Sequence, residues 1–147
     1  MDMEKKKILM VCLGNICRSP LAHGILQHMA DECGLGWEID SAGTGNWHVG
    51  QQPDKRSIRV AESHGIDISG QRAQHFNAAL FDEYDLIYTM DRNNYKDVLR
   101  LARNETDRKK VQLFLPDGEV PDPYWDDNEF EPVFLLIEER CKDIIRK

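Results

Sequence analysis

The apolar run Ile8-Leu9-Met10-Val11 leads straight into Cys12-Leu13-Gly14-Asn15-Ile16-Cys17-Arg18-Ser19-Pro20, and this junction constrains the fold more than any other stretch. Four successive apolar residues without polar alternation read as a strand covered on both faces. A helix signature follows: Ser19 as N-cap, Pro20 as first residue, then Leu21, Ile25, Met29 and Cys33 at i+4 spacing, with Gly34 as the stop. The link between strand and helix is a tight loop, so a thiol, backbone N–H groups, a guanidinium and a helix N-terminus share one small volume. Such a nest favours anions through unsatisfied donors and partial charge together. A tetrahedral oxyanion, phosphate above all, suits it.

Each loop residue has a physical reason to be there. Gly14 permits a positive φ, and Asn15 tolerates left-handed geometry while its amide ties the loop to its neighbours. Leu13, Ile16 and Cys17 add further backbone N–H groups to the bowl. Arg18 offers two parallel donors for two oxygens, which a lysine does not. Cys12 at the base is favoured as thiolate by the same donors and by Arg18, and the Ser19 hydroxyl is placed to hydrogen-bond the sulfur.

Further along, residues 37–42 and 86–90 read as strands, and a Gly-rich loop fills 43–50. Pro53 opens a helix carrying Ile58 and Ala61 that closes at Gly65, and Asp91 caps another carrying Tyr95, Val98, Leu99 and Ala102 on one face. Residues 111–115 form a fourth strand, a Pro/Asp-rich loop runs over 116–127, and a last helix carries Phe130, Val133, Phe134, Ile137, Cys141 and Ile144. The charge run 105–110 reads as a solvated helix end, and Cys33 and Cys141 as core fillers. Four strands alternating with four helices predict one α/β domain over residues 1–147. Its sheet is four-stranded and parallel with helices on both faces, in the flavodoxin/Rossmann-like manner. Ligands of such sheets bind beyond the carboxyl ends of the strands. Cys12 and the loop bearing Asp122 therefore fall on one side.

Composition narrows the partners. With a net charge of −7 and no basic stretch interleaved with aromatics, the chain suits neither nucleic acid nor an anionic membrane, so anion binding must be local. Residues 1–7 are charged and polar, unlike a secretory signal, and no run approaches the roughly 20 apolar residues of a membrane span. The four cysteines lack CxxC spacing and the five histidines lack metal-ligand spacing. Reduced thiols in the cytoplasm, with no metal and no cofactor, are the expectation.

The stretch from Cys12 to Pro20 resembles the low-molecular-weight protein tyrosine phosphatases, whose loop reads C-x-G-N-x-C-R-S-P near the N-terminus. Asp40-Ser41-Ala42-Gly43-Thr44 looks like that family's second strand and turn, Met90-Asp91 like the end of its third strand, and Asp122-Pro123-Tyr124 like its late acid-bearing loop. The resemblance implies the fold named phosphotyrosine phosphatase I and a metal-free hydrolysis of aryl phosphate. It implies Cys12 as nucleophile, Arg18 as phosphate clamp and Asp122 as general acid, then base. Ile16, Trp47, Tyr124 and Trp125 would wall the pocket for a phenyl ring. Cys17 would form a reversible disulfide with Cys12 that protects the nucleophile. Gln71 and Gln74 depart from the His and Arg common in relatives, in a segment that braces the loop.

Two rivals share the Cys-Arg loop. Phosphoarginine phosphatases tend to carry threonine where this chain has Ile16, and the bulkier apolar residue favours a flat aromatic ring. A thiol-dependent arsenate reductase needs additional mobile cysteines to relay a disulfide. A silent phosphotyrosine-binding module would not need both Cys12 and Asp122. The implied partners are phosphotyrosine proteins, with inorganic phosphate as product. Likeness to bacterial members suggests an autophosphorylated tyrosine kinase among them, and the rim aromatics would also serve a weak homodimer.

Overall fold

In the computed structural model of the protein, β1 (Lys7–Cys12) is a central strand, with β2 (Glu38–Gly43) on one side and β3 (Leu86–Thr89) on the other. The order continues to β4 (Val111–Leu113) at the edge, and every pairing is parallel. The structure describes residues 5–146. Residues 1–4, which begin the polar leader discussed above, and Lys147 lie outside it.

The helices are α1 (Arg18–Glu32), α2 (Lys55–Ser63), α3 (Arg92–Arg100), α4 (Glu105–Lys110) and α5 (Phe130–Arg146). Because strand side chains alternate, β1 feeds two cores. Ile8, Met10 and Cys12 pack with Leu21 and Ile25 of α1 and Phe134 and Ile137 of α5, whereas Leu9 and Val11 pack with Phe76, Phe81 and Val98 on the opposite face. The unbroken apolar run is thus explained by helical cover on both sides. The chain leaves β1 for β2 on one flank and later takes up β3 on the other, which makes the carboxyl end of β1 the switch point of the sheet. Cys12 sits there.

The structure departs from the sequence reading in several places. Ser19 does not cap α1: the helix begins at Arg18 with Cys17 at the N-cap and no side-chain capping bond, because the Ser19 hydroxyl is taken up by Cys12 and Asn15. Cys33 is exposed at the end of α1 rather than in the core, since Gly34 at φ 66° turns the chain away there. The run Glu105–Lys110 is a separate helix capped by Asn104, and its Asp107 is buried against Arg103 at 2.8 Å. Edge strand β4 stops at Leu113, although the Phe114 N–H still reaches the Thr89 carbonyl at 2.8 Å. Among the described residues, no helix is long and apolar enough to cross a membrane.

Candidate active site

The loop that follows β1 is held from outside by its carbonyls. The Cys12 carbonyl accepts from the Thr44 N–H at 2.9 Å, the Leu13 carbonyl from Gly45 at 2.8 Å and the Ile16 carbonyl from Asp54 at 2.8 Å. In a trans peptide the carbonyl and the next N–H point in opposite directions. Three carbonyls drawn outward therefore turn the N–H groups of Leu13, Gly14 and Cys17 inward. The left-handed residue of the loop is Asn15, at φ 59°, and Gly14 has no positive φ. What Gly14 supplies is room: a Cβ there would lie 3.1 Å from the His48 ring.

Asn15 is the hub. Its Nδ2 donates to Ser19 Oγ at 2.9 Å and its Oδ1 accepts the Gln74 backbone N–H at 2.9 Å. Ser19 Oγ, already accepting from Asn15, lies 3.0 Å from Cys12 Sγ, so its proton is free to point at the sulfur. The Asn15 N–H reaches the same sulfur at 3.3 Å. Cys12 is 3% exposed, at the floor of a bowl. The two glutamines brace this arrangement from behind: Gln74 Nε2 donates to the Ser41 carbonyl at 3.0 Å, and Gln71 Nε2 to the Pro20 carbonyl at 3.1 Å.

Arg18 is buried, and its Nη1 donates to Asp91 Oδ2 at 2.8 Å and to the Val120 carbonyl at 3.0 Å. Burial opposes the charge, but Cys12 and Asp91 outweigh it and hold the guanidinium pKa above its ordinary value. Burial, with Asp54 and Cys12 nearby, pushes the Cys17 thiol far up. Asp122 stands at the head of the short 3₁₀ turn Pro123–Trp125, its Oδ1 accepting the Tyr124 N–H at 3.1 Å.

These residues converge on one cavity of about 220 Å³, lined by Cys12, Leu13, Gly14, Ile16, Cys17, Arg18, Trp47, Asp122, Tyr124 and Trp125. Asn15 and Ser19 stand behind its floor. Trp47 and Trp125 are largely exposed at the rim, and Tyr124 meets Trp125 edge-on at 4.9 Å. His48, one of the five histidines without metal-ligand spacing, also lines the cavity, with Nδ1 held at 3.0 Å from Gln51 Oε1. Asp91, expected as a cap, does cap α3 through its Oδ1 at 2.8 Å while its other oxygen holds Arg18. Its position at the end of β3, on the ligand side of the sheet, is the signal that sequence offered. A larger polar cleft of about 580 Å³ lies between His23, Asp40 and Gln71, behind the brace and away from Cys12.

The family model for low molecular weight phosphotyrosine protein phosphatase matches residues 7–147. The chain belongs to that family. A Synechocystis chain classed among the low molecular weight protein-tyrosine-phosphatases is 40% identical, over 95% of this chain and 94% of the relative. A protein tyrosine phosphatase from Entamoeba histolytica, solved with Hepes in its active site, superposes with a TM-score of 0.91 at 33% identity, over 97% of this chain and 96% of that one. Wzb of Vibrio vulnificus, solved with benzylphosphonate, gives a TM-score of 0.87 at 29% identity, over 97% of this chain and 99% of its own. Cys12 and Arg18 lie in the loop expected of that family.

Proposed function

We propose that the whole chain acts as one protein tyrosine phosphatase domain with a two-step, metal-free mechanism. The observation that carries this is Cys12 Sγ, hydrogen-bonded by Asn15 and Ser19 on the floor of a cavity it shares with Arg18 and Asp122. The Cys12 thiolate attacks phosphorus in line, and the bond from phosphorus to the phenolic oxygen breaks. Asp122 gives that oxygen its proton, so neutral tyrosine departs. Inward N–H groups and the Arg18 donors not engaged by Asp91 stabilise the charge on the three equatorial oxygens. Asp122, now a carboxylate, takes a proton from water, which attacks the phosphocysteine and returns the thiolate with inorganic phosphate.

The rim supports an aryl leaving group. Ile16, Trp47 and Tyr124 give the cavity apolar walls suited to a flat ring, and the Vibrio relative was solved with benzylphosphonate, whose phenyl ring such walls would suit. Phosphotyrosine-bearing proteins are the proposed substrates, and the reducing cytoplasm, which four unbridged cysteines suit, the proposed setting. An arsenate reductase relay is disfavoured by distance. Cys33 is exposed, but it follows a 15-residue helix and so lies about 22 Å from the loop. Cys141 is buried in α5.

The test compares phosphate release from phosphotyrosine, phosphoarginine and phenyl phosphate. Cys12→Ser is expected to abolish turnover. Asp122→Ala is expected to slow phosphotyrosine turnover by about 10² to 10³ while inorganic phosphate inhibits as before. Near-normal turnover in Cys12→Ser, or preference for phosphoarginine, would end this reading.

A further inference from the structure

Arg56 ties the loop that carries the nucleophile to the loop that carries Asp122. Its Nε and Nη2 donate to the two oxygens of Asp54 at 3.0 and 2.9 Å, a two-point fork, and its Nη1 donates to Asp127 at 2.6 Å. The guanidinium carbon also lies 4.5 Å from the Phe130 ring centroid and 5.3 Å from that of Tyr124. Asp54 is itself fixed to the phosphate loop, since its N–H donates to the Ile16 carbonyl at 2.8 Å. Phe130 is 4% exposed and begins α5, which anchors the far side. Between those two anchors lie residues 122–127.

We propose that Arg56 is a positioning residue for the acid: it holds residues 122–127 over the phosphate loop so that Asp122 meets the leaving oxygen. The proposal rests on Asp122 being the general acid. Arg56 does not touch the phosphoryl group. All three of its nitrogens are engaged, and it lines a separate surface cleft between α2 and α5 rather than the cavity above Cys12. The link to Asp127 is the smaller part of the hold, because an ion pair with one partner 81% exposed is weak. The fork to Asp54, with side chains 26% and 12% exposed, and the stacking between two rings carry the hold. Only a planar guanidinium makes both at once.

The experiment measures kcat/KM over a series of aryl phosphates, from p-nitrophenyl phosphate to phenyl phosphate, for the wild type, Asp122→Asn, Arg56→Met and Asp127→Asn. A poor leaving group needs the proton most. In Arg56→Met the value for phenyl phosphate is expected to fall about tenfold or more, and that for p-nitrophenyl phosphate by less than about threefold. Inhibition by inorganic phosphate should not change. Asp127→Asn should tilt the series the same way more weakly, and because it alters only an exposed side chain it stands even if Arg56→Met folds poorly. An equal loss across the series, a weakened phosphate inhibition, or a flat series in both variants while Asp122→Asn is steep would overturn the role of Arg56. A flat series in Asp122→Asn would instead overturn the assignment of the acid, and the proposal with it.

Discussion

Arg18 reaches 73 positions along the chain to place its Nη1 2.8 Å from Asp91 Oδ2. The two side chains are 5% and 20% exposed, so this is a largely desolvated pair at the edge of the bowl. It determines which face of the guanidinium is left for a ligand. Because the other oxygen of Asp91 caps α3 at 2.8 Å, the rigidity of that helix end is passed to the Arg18 guanidinium.

Asp91→Ala is expected to leave Arg18 buried with only the Val120 carbonyl as partner. Inhibition by inorganic phosphate should weaken about tenfold, and stability should fall by about 2 kcal/mol, the scale for removing a hydrogen bond to a charged group. Competitive inhibition and urea unfolding check the two numbers separately. Unchanged inhibition would mean that Val120 alone aims the fork.

Burial keeps Cys17 protonated, with its thiol held far above its ordinary value, while the nearby Cys12 sulfur is hydrogen-bonded by two donors. At neutral pH iodoacetamide should therefore label Cys12 and the exposed Cys33, spare Cys17, and be slowed by inorganic phosphate at Cys12 only. Peptide mass spectrometry reads all three sites. Peroxide should convert Cys12 to a sulfenic acid that condenses with the Cys17 thiol, releasing water, so dithiothreitol restores activity. Recovery that is equally complete in Cys17→Ala would remove that thiol from the protection scheme.

The strand, loop and early helix were legible because their chemistry is contiguous: an apolar run, a thiol and an arginine follow one another in sequence. The Asp122 loop came from strand order and from a motif. Ser-Pro marks a helix start by local preference, but two tertiary partners, Asn15 and Cys12, compete for the Ser19 hydroxyl and win. Sequence reports that both Gly14 and Asn15 tolerate a positive φ, not that Asn15 is the one to adopt it. The Arg18–Asp91, Arg56–Asp127 and Asn15–Gln74 contacts join residues 73, 71 and 59 positions apart, and no local pattern encodes them.

His23 gives the fold a pH dependence. Burial, opposed by the nearby Asp40, lowers its pKa below the ordinary 6.5, and its Nδ1 sits 3.1 Å from Ser41 Oγ. The unfolded chain takes up the proton first, so the contribution is fully present above pH 6.5 and is lost as pH falls through the folded value. The thermal midpoint of the wild type should fall from pH 7.5 to 5.5 more steeply than that of His23→Gln. Parallel curves would assign the acid loss to other groups.

Gly43 tests how closely β2 backs the loop that follows β1. A Cβ there would lie 2.8 Å from the Leu13 carbonyl oxygen, 3.0 Å from the Gly14 carbonyl carbon and 3.1 Å from the Asn15 nitrogen, all of them backbone atoms that cannot swing aside. Gly43 is itself pinned, with its N–H on the Gln74 carbonyl at 2.8 Å and its carbonyl on the Phe76 N–H at 2.7 Å. In Gly43→Ala the loop must therefore move, and a shift near 1 Å at a preorganised site is expected to cost about 10² in kcat/KM on phosphotyrosine. Gly118→Ala, where a Cβ meets nothing within 4 Å, should stay within about twofold of wild type. If Gly43→Ala kept full activity, the strand end would have to yield instead, and the inward N–H groups would owe their aim to the carbonyl bonds of Thr44, Gly45 and Asp54 alone.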